Sequence, residues 1–315
     1  MSVLDYDAAV NRDGADAARY NAADILSLGG VAVLLCLTAV CRRQLDAGEA
    51  AWLCAQYCAL GLLIVASAAL ASRGSVYRVL HDFSPVVTII CVFNSLGPLI
   101  HTVNPVLWDA RFAALDARWL APLAVSWPQV LGRPSWLTDA AYVAYVLYYP
   151  LPVALAVLLY ARGSADGFRA FVFAVLTTFF ASYLGYFLCP TLGPRVPPEL
   201  EATLLGGGAI SGGIRLFLHF VERTQTDAFP SGHTAVALVS LSCAWHRSRR
   251  AFAVCTPVVA GIIFSTVYLH YHYASDVIAG IALAAGCLWL APRLQPACAP
   301  REWISLVAAM RNVIR

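Results

Sequence analysis

Polar residues divide the chain into apolar runs at about 24–41, 51–71, 85–103, 139–160, 170–188, 234–246, 252–270 and 277–292. Most approach the roughly 20 residues that carry a helix across the hydrocarbon core, while the sixth and eighth are short enough to need extension or local burial. The pattern predicts an all-α, polytopic membrane bundle of six to eight spanning helices. Its expected parts are a polar N-terminal segment (1–23), N-terminal membrane helices (24–103), an interfacial flap (104–136), a catalytic membrane domain (137–292) and a C-terminal tail (293–315). No internal repeat, heptad run or low-complexity linker interrupts this plan.

Composition agrees: of 315 residues 60% are hydrophobic and 12% charged, with a mean hydropathy of +0.70, far from the balance of a soluble domain. All 21 basic residues are arginine, so a net charge of +3 speaks of orientation rather than of nucleic acid, and the bias fits a GC-rich bacterial genome. The loop holding Arg247, Arg249 and Arg250 is the densest basic connector and is expected on the cytoplasmic side, which places both flanking loops outside. Arg73, Arg78, Arg162 and Arg169 agree with that orientation; Arg42 and Arg43 oppose it. The N-terminal residues Asp5, Asp7, Asp13 and Asp16 do not resemble the basic start of a cleaved signal peptide. Trp108, Trp119, Trp127 and Trp136 mark 104–136 as an interfacial flap. Of the ten cysteines, Cys36, Cys54, Cys58, Cys91, Cys243, Cys255 and Cys287 lie inside apolar runs and read as small packing residues.

Three polar clusters stand at the outer ends of predicted helices: CPTLGPR (189–195), FPSGH (229–233) and STVYLHYHYASD (265–276). In the third, His272 and Asp276 are four apart, which puts them on one face if the helix has begun there. An aspartate that accepts the Nδ1 proton leaves Nε2 free as a nucleophile. Pro230 suits a helix entrance, and Ser231, Gly232 and His233 then lie at a helix N-terminus, where free amides and the dipole favour a phosphate and Gly232 admits a ligand to the backbone. His233 is placed to protonate a departing alkoxide, and Arg195 offers a two-pronged fork to phosphate oxygens. This is a phosphoryl-transfer set without a metal or other cofactor.

Competing readings are weaker. His270 and His272 form an H-x-H pair that would bind zinc with Asp276, but nothing fixes a fourth ligand. The glycine-rich 206–213 cannot be a Walker A loop in a chain without lysine and reads as a hinge. It leads into an amphipathic stretch with Arg215, His219, Glu222 and Arg223 on one face, expected to lie in the interface, with Arg215, His219 and Arg223 as candidate headgroup contacts.

With PSGH followed by a histidine four residues before an aspartate, the chain resembles the type 2 phosphatidic acid phosphatase superfamily. That family's pattern is Lys-x6-Arg-Pro, Pro-Ser-Gly-His and Ser-Arg-x5-His-x3-Asp on a helical membrane core. Pro230, Ser231, Gly232 and His233 match the second motif; Ser265, His272 and Asp276 match the third. Leu188 stands at the lysine position, Val196 follows Arg195, and Thr266 replaces the third-motif arginine. These departures, with PTLGPR and VYLHYHYASDVIAG, are more similar to the branch of fungal inositol phosphorylceramide synthases and their bacterial relatives. The likeness is specific over 185–280 and loose over 94–136.

The resemblance implies that His272 attacks phosphorus, His233 protonates the leaving oxygen, and Asp276 orients His272. Arg195, Ser231 and Gly232 then hold the equatorial oxygens. The missing lysine and arginine favour a phosphodiester, which carries one charge, over a phosphomonoester, which carries up to two. The expected enzyme is a phospholipid headgroup (inositol phosphate type) transferase whose partners are a membrane lipid and a hydroxyl acceptor. The alternatives are a lipid or polyprenyl phosphate phosphatase, in which water is the acceptor, and a non-enzymatic lipid-binding or transport protein on the same fold. The expected location is a bacterial plasma membrane, with the site on its extracytoplasmic side.

Overall fold

A backbone inside lipid finds no water to bond, so apolar runs of this length satisfy their amides within helices. In the computed structural model, which describes residues 20–121 and 131–295, the runs are helical and no strand forms among the described residues. Among the described residues six helices are long and apolar enough to cross a membrane, or seven if one broken pair counts as a span. Asp5, Asp7, Asp13, Asp16, Trp127 and most of the tail lie outside the described residues.

Two compact units are distinguished: residues up to Ser95 with Val153–Phe180 and those from Gly286, and Leu96–Pro152 with Ala181–Ala285. The first contains α1 (Ala22–Cys41), α2 (Ala47–Leu70), α3 (Ser75–Asp82) and α4 (Ser84–Phe93). Helix α1 starts in a capping box, Asn21 accepting from the Asp24 amide while Asp24 accepts from that of Asn21. Both Asp24 oxygens also reach Nε2 of buried His81, at 3.0 and 3.1 Å. The Gln56 side chain donates to the Cys91 carbonyl, and the Tyr57 and Ser95 hydroxyls pair at 2.9 Å, so these polar groups are matched internally.

The second unit begins with α5 (Leu96–Val103) and α6 (Asp109–Trp119), followed by α7 (Ser135–Val146). The third apolar run breaks at Asn94–Ser95 because Pro98 has no N–H for the Asn94 carbonyl. The fourth breaks between α7 and α8 (Pro150–Ala161), where Pro150 cannot continue the ladder to Val146. That break leaves Tyr148 and Tyr149 outside regular helix. After α9 (Ala165–Leu188) come α10 (Pro198–Leu205), α11 (Ala209–Val221), α12 (Gly232–Arg247), α13 (Arg249–Tyr268) and α14 (Ala274–Leu294).

Helix α12 is 16 residues long, about 24 Å at 1.5 Å per residue, and falls short of a hydrocarbon core about 30 Å thick. Its first six residues, Gly232–Ala237, are buried, which is the local burial its length requires. One serine closes it and opens the next helix: Ser248 Oγ accepts the Ala251 amide at the start of α13. Helix α7 packs against α11 and α13 around Tyr142, Tyr145, Leu218, Tyr268 and Tyr271. Asp139 on α7 accepts the Gly208 and Ser211 amides and so starts α11.

Candidate active site

The three polar clusters fall at the exit of α9, the entrance of α12 and the α13–α14 turn, all within the second unit. Ser231 is the N-cap of α12, its Oγ accepting the Thr234 amide at 3.3 Å and its own amide donating to the Asp276 carbonyl at 3.1 Å. The amides of Gly232 and His233 have no partner among the described residues and form the open end of the helix. The Cα of Gly232 faces Tyr186, whose hydroxyl would stand 2.7 Å from an added Cβ. Glycine is therefore required there by packing against α9, while its amide keeps the anion-binding capacity.

The turn after α13 is set by one carbonyl. The amides of Tyr271 and His272 both donate to Thr266, at 2.9 and 3.0 Å, and His270 takes up the reversal with φ 62°. Gly193, at φ 83°, passes over the Tyr271 carbonyl, which an added Cβ would meet at 2.3 Å. Gly193 thereby lets the first cluster lie directly on the third.

His272 is buried with Nδ1 2.8 Å from the Ala228 carbonyl and 3.6 Å from Asp276 Oδ2. A carbonyl only accepts, so Nδ1 carries the proton and Nε2 presents its lone pair. The direct hydrogen bond that selects this tautomer comes from Ala228; Asp276 stands behind it at ion-pair distance and accepts the Tyr273 amide at 2.8 Å. Nε2 of His272 faces Nδ1 of His233 at 3.4 Å. That gap suits a hydrogen bond and is too narrow for a phosphorus atom, which would fit between the imidazoles only if they parted.

Arg195 is committed to carboxylates. Its NH2 donates to Asp227 at 2.7 Å, its NH1 lies 3.7 Å from Glu222, and its buried Nε has no partner. Burial opposes the guanidinium charge, but Asp227 and Glu222 outweigh it and hold the group protonated, above its ordinary range.

Glu222, just past the end of α11, turns inward: Oε1 accepts from Tyr145 at 3.1 Å and Tyr149 at 2.7 Å. Burial pushes its carboxyl above the usual carboxylate range, against the pull of Arg195. The same oxygen is 3.9 Å from His233 Nε2, which has no hydrogen-bond partner. Tyr145 stacks on the rings of both His233 and Tyr271, each at 4.5 Å.

The remaining candidates are elsewhere. Arg215 is bound to the Tyr142 hydroxyl and the Gly206 carbonyl, near Glu201. His219, half-exposed, pairs with Glu201 at 3.3 Å, and Arg223 is exposed. The expected common face of Arg215, His219, Glu222 and Arg223 is divided because α11 ends at Val221, which frees the last two from the helical register. His270 faces Arg133 at 2.9 Å, and burial, then the Arg133 charge, lowers its pKa, consistent with a neutral ring that accepts. Among the described residues no group of three His, Cys, Asp or Glu side chains is arranged to hold a metal ion.

Sequence reasoning passed over Asp227, Tyr145 and Tyr149, and placed Glu222 on the polar face of an interfacial helix. Asp227 had a signal, a carboxylate two residues before the FPSGH cluster; the tyrosines of a spanning run had none.

The chain is 25% identical to a phosphoinositol dihydroceramide synthase of Bacteroides thetaiotaomicron over 162 residues, 46% of this chain and 52% of that protein. It is 25% identical to a PA-phosphatase related-family protein of Dictyostelium discoideum over 125 residues, 38% of this chain and 22% of that one. The match thus spans about half the length of the first relative and less of the second. No solved structure matches. The PAP2 superfamily profile matches residues 110–290, more than half of the chain and all three clusters, so this integral membrane protein belongs to the PAP2 superfamily of lipid phosphatases and phosphotransferases.

Proposed function

We propose that the chain transfers a phospholipid headgroup, of the inositol phosphate type, through a phosphohistidine on His272. The observation that carries this reading is the buried His272–His233 pair, with Nδ1 of His272 donated to Ala228 and Nε2 turned to His233. The His272 Nε2 lone pair forms the N–P bond, the P–O bond to the departing alcohol breaks, and His233 gives that oxygen its proton. An acceptor hydroxyl then attacks phosphorus, returns a proton to His233 and restores His272. Asp276 orients His272, while the Arg195 Nε, Ser231 and the Gly232 amide hold the equatorial oxygens.

Charge supports the diester. Arg195 is already matched by Asp227 and Glu222, so little positive charge is left for a dianionic monoester. The name of the Bacteroides relative, a phosphoinositol dihydroceramide synthase, supports the same reaction. A phosphatase, with water as acceptor, is the second reading, favoured by the name of the Dictyostelium relative. Arg215, His219 and Arg223 remain proposed as headgroup contacts, of which exposed Arg223 and half-exposed His219 are the accessible ones.

The deciding assay uses purified protein with labelled phosphatidylinositol and with phosphatidic acid, with and without ceramide or diacylglycerol, in EDTA. A new phosphodiester lipid formed under chelation is the expected product. Free phosphate from phosphatidic acid alone would establish the phosphatase, and activity lost on chelation and restored by zinc would overturn the metal-free mechanism.

The same reading puts the 247–250 loop on the cytoplasmic side of a bacterial plasma membrane, with the site facing out. Ser248→Cys should resist an impermeant thiol reagent in intact cells, measured over the labelling of the native cysteines; rapid labelling would invert the topology.

A further inference from the structure

Helix α6 presents one narrow face inward. Of its residues only Phe112 and Asp116 are buried and Asp109 is half-buried, a spacing of three and four that aligns them along the helix. All three meet the site clusters. The Asp109 carboxylate accepts the Leu192 amide at 3.1 Å and the Gly193 amide at 3.0 Å, and the Trp108 amide donates to Pro190 at 2.9 Å. Phe112 stacks on Phe229 at 4.4 Å. Asp116 accepts the Ala274 amide at 2.7 Å and the Ser275 amide at 3.0 Å.

The Asp116 contacts complete an unfinished helix start. Tyr273 precedes α14, where a serine, threonine, aspartate or asparagine would ordinarily cap the first amides, and a tyrosine side chain cannot. Asp276 supplies only the reciprocal half of a capping box, accepting the Tyr273 amide. The missing half comes from Asp116, 158 residues away in the chain. Its carboxylate also fills the anion-attracting end of α14, as Asp109 fills the amides of the first cluster. The open amides of Gly232 and His233 on α12 are left for a phosphate.

We infer that α6 is a positioning strap for the reaction, Asp116 setting the turn that carries His272 and Asp276, and Asp109 setting the loop that carries Arg195. The inference rests on the reading of His272 as nucleophile and Arg195 as phosphate ligand. It divides the two aspartates by kinetic effect, since Asp116 acts through the attacking group and Asp109 chiefly through the binding group, its tie to the His272 turn being the longer hydroxyl contact from Tyr273 at 3.4 Å.

The test compares full-length wild type with Asp109→Ala, Asp109→Asn, Asp116→Ala and Asp116→Asn on phosphatidylinositol and phosphatidic acid. Readouts are kcat, KM, phosphoenzyme level and amide hydrogen exchange of peptides covering 188–195 and 270–280. Asp116→Ala should lower kcat and phosphoenzyme by about tenfold or more with KM within about twofold, whereas Asp109→Ala should chiefly raise KM, by about fivefold or more. Each asparagine keeps one acceptor oxygen and should recover much of the loss; it also serves where the alanine variant fails to fold. Exchange should rise at 270–280 in the Asp116 variants and at 188–195 in the Asp109 variants. Equal loss of kcat and KM effects in both alanine variants, tracking only the folded fraction, or unchanged exchange, would overturn the strap. If wild type turns over neither lipid, the phosphoryl-transfer reading fails, and the two exchange patterns still decide whether α6 holds the loops.

Discussion

His272→Ala should abolish turnover and the covalent phosphoenzyme together, a loss of roughly 10⁴–10⁶-fold by analogy with other removed nucleophiles. No other imidazole is placed to replace it: His233 turns its Nδ1 toward the vacated position but lacks the Ala228 carbonyl that selects the His272 tautomer, and His270 is engaged with Arg133. Lipid binding should survive, because Arg195 and the start of α12 are untouched. The substitution strands the Ala228 carbonyl, which costs about 1–3 kcal/mol where no water replaces the donor, so the folded fraction is measured beside the rate. A phosphoenzyme that persisted in this variant would assign the nucleophile elsewhere, and His270→Ala, expected to be mild, is the control.

His233→Ala should slow formation of the phosphoenzyme by on the order of 10² to 10⁴, and much less for a substrate whose leaving group departs without a proton. Leaving-group rescue separates lost acid catalysis from lost structure, since a distorted site would slow both substrates alike. Glu222 enters here through geometry, 3.9 Å from the unpartnered Nε2 of His233. Glu222→Gln keeps an acceptor for Tyr145 and Tyr149 while removing the charge beside His233 and Arg195. It should slow the first step in the wild-type background and add little in His233→Ala, a non-additivity expected of residues that act as a unit. Fully additive losses would mean that Glu222 serves Arg195 alone.

The same two substitutions show which parts of the site could be read from the chain. His272 and His233 were visible because each sits in a short motif of fixed spacing at the end of an apolar run, and local patterns of that kind survive folding. Their partners were not visible. The Nδ1 acceptor is a backbone carbonyl, and every residue has one, so no side chain announces Ala228. Gly232 was read as a place for a ligand, and the structure adds a second reason for its bare Cα, the Tyr186 hydroxyl packed against it from another helix. Glu222 looked like part of a polar helical stripe until α11 stopped one residue before it.

Hydrophobicity alone determined that this protein is a helical membrane bundle, because a backbone in lipid has to bond within its own segment. Motif spacing alone determined that the proposed site residues collect at three helix ends. The tertiary structure decided the electrostatics of those groups: Arg195 paired with Asp227 and Glu222, the His272 tautomer set by Ala228, and the first turn of α14 capped by Asp116. Each of those contacts joins residues 27 to 158 positions apart, and a pairing at such separation exists only once packing has brought both groups out of water, where an unmatched charge or amide is too costly to leave.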